Sequence, residues 1–239
     1  MKPGKIKILI VDDSDVMLRV ITEYFRPYNV SISTSINGLD GIKKATETKP
    51  DLILLDLLMP NFDGLKMLQV IKLLDELKHI PVIVISANTD KTNVLSAIEA
   101  GADQVLAKPV KRDLLITAVE KSLGKPVSFK PDVEAEAFEE TDAELKEQLR
   151  KSFVNSFNNE KNSLNESLLH KNIPALKYFA HNTKSIAHSI GHPQLLKINT
   201  EIEKLFENPE ANWQLIQIKF NQVFAIIKDV ENSLAAWKN

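Results

Sequence analysis

The chain has 239 residues, of which 44% are hydrophobic and 26% charged, with a net charge of −2. That is ordinary for a globular chain of one large or two modest domains, and it supplies no basic field for nucleic acid or an anionic membrane. The absence of cysteine excludes disulfides, thiolate metal sites and thiol nucleophiles. The N-terminal apolar run turns acidic too soon for a signal peptide, and no stretch approaches the ~20 apolar residues of a spanning helix. The expectation is a cytoplasmic protein without membrane insertion.

Up to about Gly124, β-branched runs alternate with segments of helical period. The runs cover 5–13, 30–36, 51–58, 80–87 and 103–109, and four are nearly continuous apolar blocks, as in strands buried on both faces. Between them, Val16, Val20, Ile21, Tyr24 and Phe25, and later Leu65, Leu68, Ile71 and Leu74, recur at helical spacing. The pattern predicts a doubly wound, five-stranded parallel α/β sheet, with the more polar 30–36 strand at an edge. Residues 125–141, with prolines and a run of glutamates, read as a linker. From 142 to 239 the β-branched blocks vanish. Four helices are expected near 142–169, 172–190, 193–207 and 211–237, broken at Asn172/Pro174, Gly191–Pro193 and Asn208/Pro209. Short connections suggest an all-α four-helix bundle. Its expected core includes Phe153, Phe157, Leu164, Phe206, Phe220 and Phe224.

The polar residues that interrupt the apolar strands fall at strand carboxyl ends, where open parallel sheets bind ligands. Asp12 and Asp13 end the first strand, Asp56 the third, Ser86 the fourth and Lys108 the fifth. Carboxylates gathered in this way need a cation, and oxygen-only ligation points to Mg²⁺. A structural ion cluster is the plainer alternative, but a carboxylate in an apolar strand is costly without a purpose.

The order Asp-Asp, then Asp56 with LLMPNFDG, then Ser-Ala, then Lys-Pro is similar to the receiver domains of two-component response regulators, over about 5–123. The resemblance implies that Asp56 accepts a phosphoryl group. It also implies that Asp12, Asp13, Asp56 and the Leu58 backbone carbonyl hold Mg²⁺, that Ser86 and Lys108 meet phosphoryl oxygens, and that Pro109 follows a cis bond. Val105 stands where receivers usually carry an aromatic, so coupling to the face of the fourth and fifth helices is expected to be muted. Leu58 and Asn88 occupy positions that tune water access, and an apolar Leu58 suggests slow hydrolysis.

On the second bundle helix, Ile173, Leu176, Ala180, Thr183, Ala187 and Ile190 share one side, while Lys177, His181, Lys184 and His188 share the other. His181 is therefore expected to be exposed, with lysines a turn away to pair with phosphoryl oxygens and the small Ser185 leaving the ring open. The stretch 180–195 resembles histidine-containing phosphotransfer (HPt) domains: Lys184 and Gly191 match that signature, and Ser185 replaces a glycine. By that resemblance His181 carries the phosphoryl group. His188 and His192 lack a third ligand for a metal.

Together these resemblances imply a phosphorelay protein whose partners are a sensor histidine kinase and other receiver or HPt proteins. No glycine-rich nucleotide motif of a histidine kinase and no convincing helix-turn-helix is found, so neither ATP-dependent kinase activity nor direct DNA binding is expected. Two rivals stand beside this reading. In one, the helical domain is an interaction or dimerisation module with His181 incidental; in the other, the acidic site belongs to a dehalogenase-type hydrolase, disfavoured by Lys108-Pro109.

Overall fold

Five runs rich in Ile, Leu and Val form one parallel sheet: β1 (Ile6–Val11), β2 (Val30–Ser35), β3 (Leu52–Asp56), β4 (Val82–Ser86) and β5 (Gln104–Ala107). The computed structural model describes residues 5–59, 64–86, 91–130, 138–207 and 212–236. The chain divides into two units, Met1–Ala135 and Glu136–Asn239.

In the first unit the strand order is β2-β1-β3-β4-β5, so the polar strand does lie at an edge. Successive strand residues face opposite ways, and each face has its own core. Ile6, Ile8, Ile10, Leu52, Leu54, Ile83 and Ile85 pack with side chains of α1 (Asp15–Tyr24) and α5 (Arg112–Leu123), such as Ile21 and Leu115. Leu9, Val11, Ile53, Leu55, Val82 and Val84 pack with side chains of α2 (Gly38–Thr48), α3 (Gly64–Leu73) and α4 (Lys91–Glu99), such as Ala45, Met67 and Ala97. Coverage on both faces is why these strands read as continuous apolar blocks.

The expected linker is shorter than its composition suggests. Residues 125–130 belong to the first unit: Val127 is buried in the α1/α5 core, and its N–H donates to Glu120 Oε1 at 2.9 Å. Phe129 pairs antiparallel with Tyr28 and stacks on its ring at 4.7 Å. Pro126 there disfavours helix without removing packing. The far boundary also moves, because a helix is under way by Phe138.

The second unit contains α6 (Phe138–Leu169), α7 (Ile173–Ser189), α8 (Pro193–Glu207) and α9 (Trp213–Ala236). Asn172 caps α7, its side chain accepting from the Ala175 N–H, with Pro174 in the first turn. Gly191, at φ +68°, closes α7 in a conformation that glycine adopts freely. Packing runs α6 to α7, α7 to α8, α8 to α9 and α9 back to α6. Phe157 meets Phe179 and Phe224, and Phe220 meets Phe179 and Phe206, at ring separations of 5.5–6.4 Å. Among the described residues, no helix is long and apolar enough to cross a membrane.

Candidate functional site

β1 connects outward to β2 on one side while β3 lies on its other side, so the crevice at their carboxyl ends is the switch point of the sheet. The acidic residues collect there. One carboxylate oxygen from each of Asp12, Asp13 and Asp56 lies within 4.8 Å of the others. Lys108 Nζ donates to Asp12 Oδ2 and to Asp56 Oδ2, both at 2.8 Å, with all three side chains almost fully enclosed. The Leu58 N–H donates to Asp56 Oδ1 at 3.2 Å, and the Ser14 N–H to Asp12 Oδ1 at 2.9 Å. Ser86 is buried at the end of β4, and its carbonyl accepts the Lys108 N–H at 2.7 Å. The Lys108–Pro109 bond is cis. Asn88 lies outside the described residues.

Burial, then the neighbouring Asp12 and Asp56 charges, push the Asp13 carboxyl up to about 8. Asp12 rises to about 6, because burial and Asp56 outweigh the attraction of Lys108. Burial opposes charge on Lys108, but Asp12 and Asp56 overcome it and drive its pKa well up. Among the described residues, neither of the buried Asp13 oxygens has a hydrogen-bond partner. Three convergent carboxylates, one of them unsatisfied, form an oxygen-only donor set that fits a hard divalent cation.

Two contributors escaped the sequence reading. Ser14 caps α1 through its side chain while its N–H orients Asp12; its place just before a helical run is a legible cap signal. Gly64 opens α3 against the Asp56 backbone. A Cβ there would lie 2.0 Å from the Asp56 carbonyl oxygen, so only glycine fits this approach. Nothing in the local spacing announces it.

The histidine site departs from expectation. His181 is not exposed: its side chain is 15% accessible, and Nδ1 lies 3.1 Å from Glu203 Oε1 on α8. Lys184 Nζ donates to the other oxygen of Glu203 at 2.6 Å. Nε2 is buried and has no hydrogen-bond partner among the described residues. Ser185 does not open the ring to solvent; it is buried, and its hydroxyl donates to the His181 carbonyl at 3.4 Å. Lys177 and His188 are exposed as expected, whereas Ile173, assigned to the apolar side, is also exposed. The cause is that α7 packs against both α6 and α8, so it has two seams. A single helical wheel locates only the more apolar one. Burial works against charge on Glu203, yet hydrogen bonds from His181 and Lys184 hold its carboxyl below the usual range.

The response regulator receiver domain family matches residues 8–120. The chain is 34% identical over 117 residues to the transcriptional regulatory protein PrrA of Mycobacterium leprae, covering 49% of each chain. It is 38% identical over 103 residues to the transcriptional regulatory protein ResD of Bacillus subtilis, covering 43% of this chain and 42% of ResD. It thus spans about half the length of the curated relatives it matches, or less. The response regulator domain of Thermotoga maritima CheB is similar at 26% identity and a TM-score of 0.46, over 50% of this chain and 97% of that one. Residues 8–120 of this chain are a response regulator receiver domain.

Proposed function

We propose that the chain is a two-component phosphorelay protein in which Asp56 and His181 are phosphoryl stations. The observation that carries this reading is the enclosed convergence of Asp12, Asp13 and Asp56 on the Lys108 ammonium, inside a receiver domain. Asp12, Asp13 and Asp56, with the Leu58 carbonyl, would hold Mg²⁺, which when bound supplies positive charge for the phosphoryl oxygens.

Asp56 is the nucleophile. A carboxylate oxygen attacks the phosphorus of a phosphohistidine donor, the P–N bond breaks, and the donor imidazole keeps the electron pair. The product is an acyl phosphate on Asp56. The Leu58 N–H and Lys108 already hold the two Asp56 oxygens, which orients the carboxylate before the donor arrives. Lys108 then turns its charge to the phosphoryl group, and the Ser86 hydroxyl binds another oxygen.

For the helical unit, the closed circuit of packing from α6 to α9 supports a four-helix bundle, and the His181–Glu203–Lys184 group supports phosphoryl carriage there. Partners would be a sensor histidine kinase and other receiver or HPt proteins. A second reading makes the helical unit an interaction module in which His181 carries nothing, and the shielding of Nε2 favours it.

One experiment separates the two. Purified full-length protein is offered a phosphorylated receiver, and wild type, His181→Gln and Asp56→Asn are compared for acid-labile and base-labile label. The relay reading expects acid-labile label that His181→Gln abolishes and base-labile label that Asp56→Asn abolishes. Acid-labile label on the helical unit that persists in His181→Gln, or that never forms, leaves the interaction module.

A further inference from the structure

α9 presents a face that its own bundle does not use. Its buried stripe of Ile216, Phe220, Val223, Ile227 and Val230 turns inward. Between Trp213 and Ile227, the exposed positions are three glutamines, Asn221, Leu215, Ile218 and Ala225, without one charge among them. The only charged residue in that stretch, Lys219, is half-buried and donates to Glu201 Oε2 at 2.6 Å. A quarter of this chain is charged, and charge ordinarily gathers on exposed helix faces. About four turns of exposed helix without a free charge have instead the composition of an interface core. Leu215 and Ile218 protrude from this face, Ile218 with 52% of its surface exposed. Further along the same helix lies a groove of about 400 Å³ against α8, lined by Ile198, Ala225 and Ile226.

We propose that this face is a homodimer seam, on which α9 of a second copy of the chain packs antiparallel across a two-fold axis near Asn221 and Gln222. Self-complementarity names the occupant. A two-fold axis sets a surface against its own reverse. Protrusion and groove lie on either side of Asn221 and Gln222, with Ile218 and Ala225 about 10 Å apart along the helix. The antiparallel arrangement therefore seats Ile218 of each copy against Ala225 of the other, large side chain on small. A charge at the axis would meet its own likeness, whereas the amides there both donate and accept and can pair with their copies. The strip is about 16 Å long and two helices wide, so it buries on the order of 400 Å² per copy, half that of a stable complex. The dimer is accordingly reversible, forming at micromolar concentrations and above. His181 sits in the seam between α7 and α8 rather than on this face, so the inference stands whether or not it carries a phosphoryl group.

Sedimentation of the full-length chain in EDTA, without a phosphoryl donor, tests this from micromolar to millimolar concentration. Wild type is expected to pass from monomer to dimer over that range. Ile218→Glu and Ala225→Lys, both at exposed positions, should each weaken the dimer about tenfold or more. Unchanged unfolding of each variant in urea, read by tryptophan fluorescence, shows that the bundle still folds. Mixing the two variants restores the dimer, because the substituted positions face each other in the mixed pair. A wild type that stays monomeric throughout leaves the face to a different partner and overturns the proposal. So does a dimer that Ile218→Glu leaves intact, or one that the mixture fails to restore.

Discussion

Asp13→Asn should stabilise the metal-free receiver at pH 8 and leave it nearly unchanged at pH 4. The wild-type carboxyl moves from an ordinary value of 3.8 to about 8 on folding, driven by burial and by Asp12 and Asp56. Between those values the folded state holds a proton that the unfolded state has released. Stability therefore falls as pH rises through this window, and it levels off above about 8. At about 1.4 kcal/mol per unit the shift bounds the cost at about 6 kcal/mol. Although both oxygens are buried, the effective dielectric at such sites is high enough to bring the realised cost to about half of that bound. Asparagine has nearly the same shape and cannot ionise, so it removes this cost. The assay is amide hydrogen exchange of β3 and β4 in EDTA, which reads the receiver unit alone because both strands lie in its core. A difference between variant and wild type that is the same at pH 4.5 and 8 would refute the electrostatic account. So would a variant less stable than wild type at pH 8.

Adding Mg²⁺ should reverse that cost in wild type, raising receiver stability by about 2.7 kcal/mol at a hundredfold excess over its dissociation constant, and should have little effect on Asp13→Asn; exchange of the same strands with and without EDTA measures it. Gly64→Ala forces a Cβ against the Asp56 carbonyl, so acceptance of label by Asp56 should slow at least tenfold. Gly124→Ala meets nothing within 4 Å and, at φ +64°, should cost only about 1 kcal/mol with label uptake intact. Val127→Ala should lower receiver stability by about 1–2 kcal/mol, read by the same exchange, although Val127 lies beyond the family match. Phe220→Ala, by contrast, should cost the helical unit about 3–5 kcal/mol, read by tryptophan fluorescence in urea because both tryptophans lie in that unit, and leave β3 and β4 protection unchanged.

The receiver was legible because its grammar is local. Strands buried on both faces need unbroken apolar runs, so a charged residue such as Asp56 or Lys108 stands out against them and can only sit at a strand end. Asp12, Asp56 and Lys108 therefore mark a common edge of the sheet from the sequence alone. Their pairing geometry was not announced, because the choice of Lys108 to bridge Asp12 and Asp56, leaving Asp13 unpaired, depends on tenths of an ångström between three strand ends. The same holds for Gly64, whose need for a missing Cβ arises from a contact with another element.

By itself the sequence determined the alternation of strands and helices, the polar edge strand, the ends of α7 and the residue types at the acidic pocket, since each follows from period, caps or solvation along a continuous stretch of chain. Only the tertiary structure decided what surrounds His181, where α8 brings Glu203 across and turns an expected open face into a seam. It also decided where the first unit ends, because Val127 and Phe129 sit in proline-broken sequence that looks like linker yet packs on α1 and Tyr28. Helical period reports one buried face, and composition reports average solvation. Neither encodes a second neighbour that arrives from elsewhere in the chain.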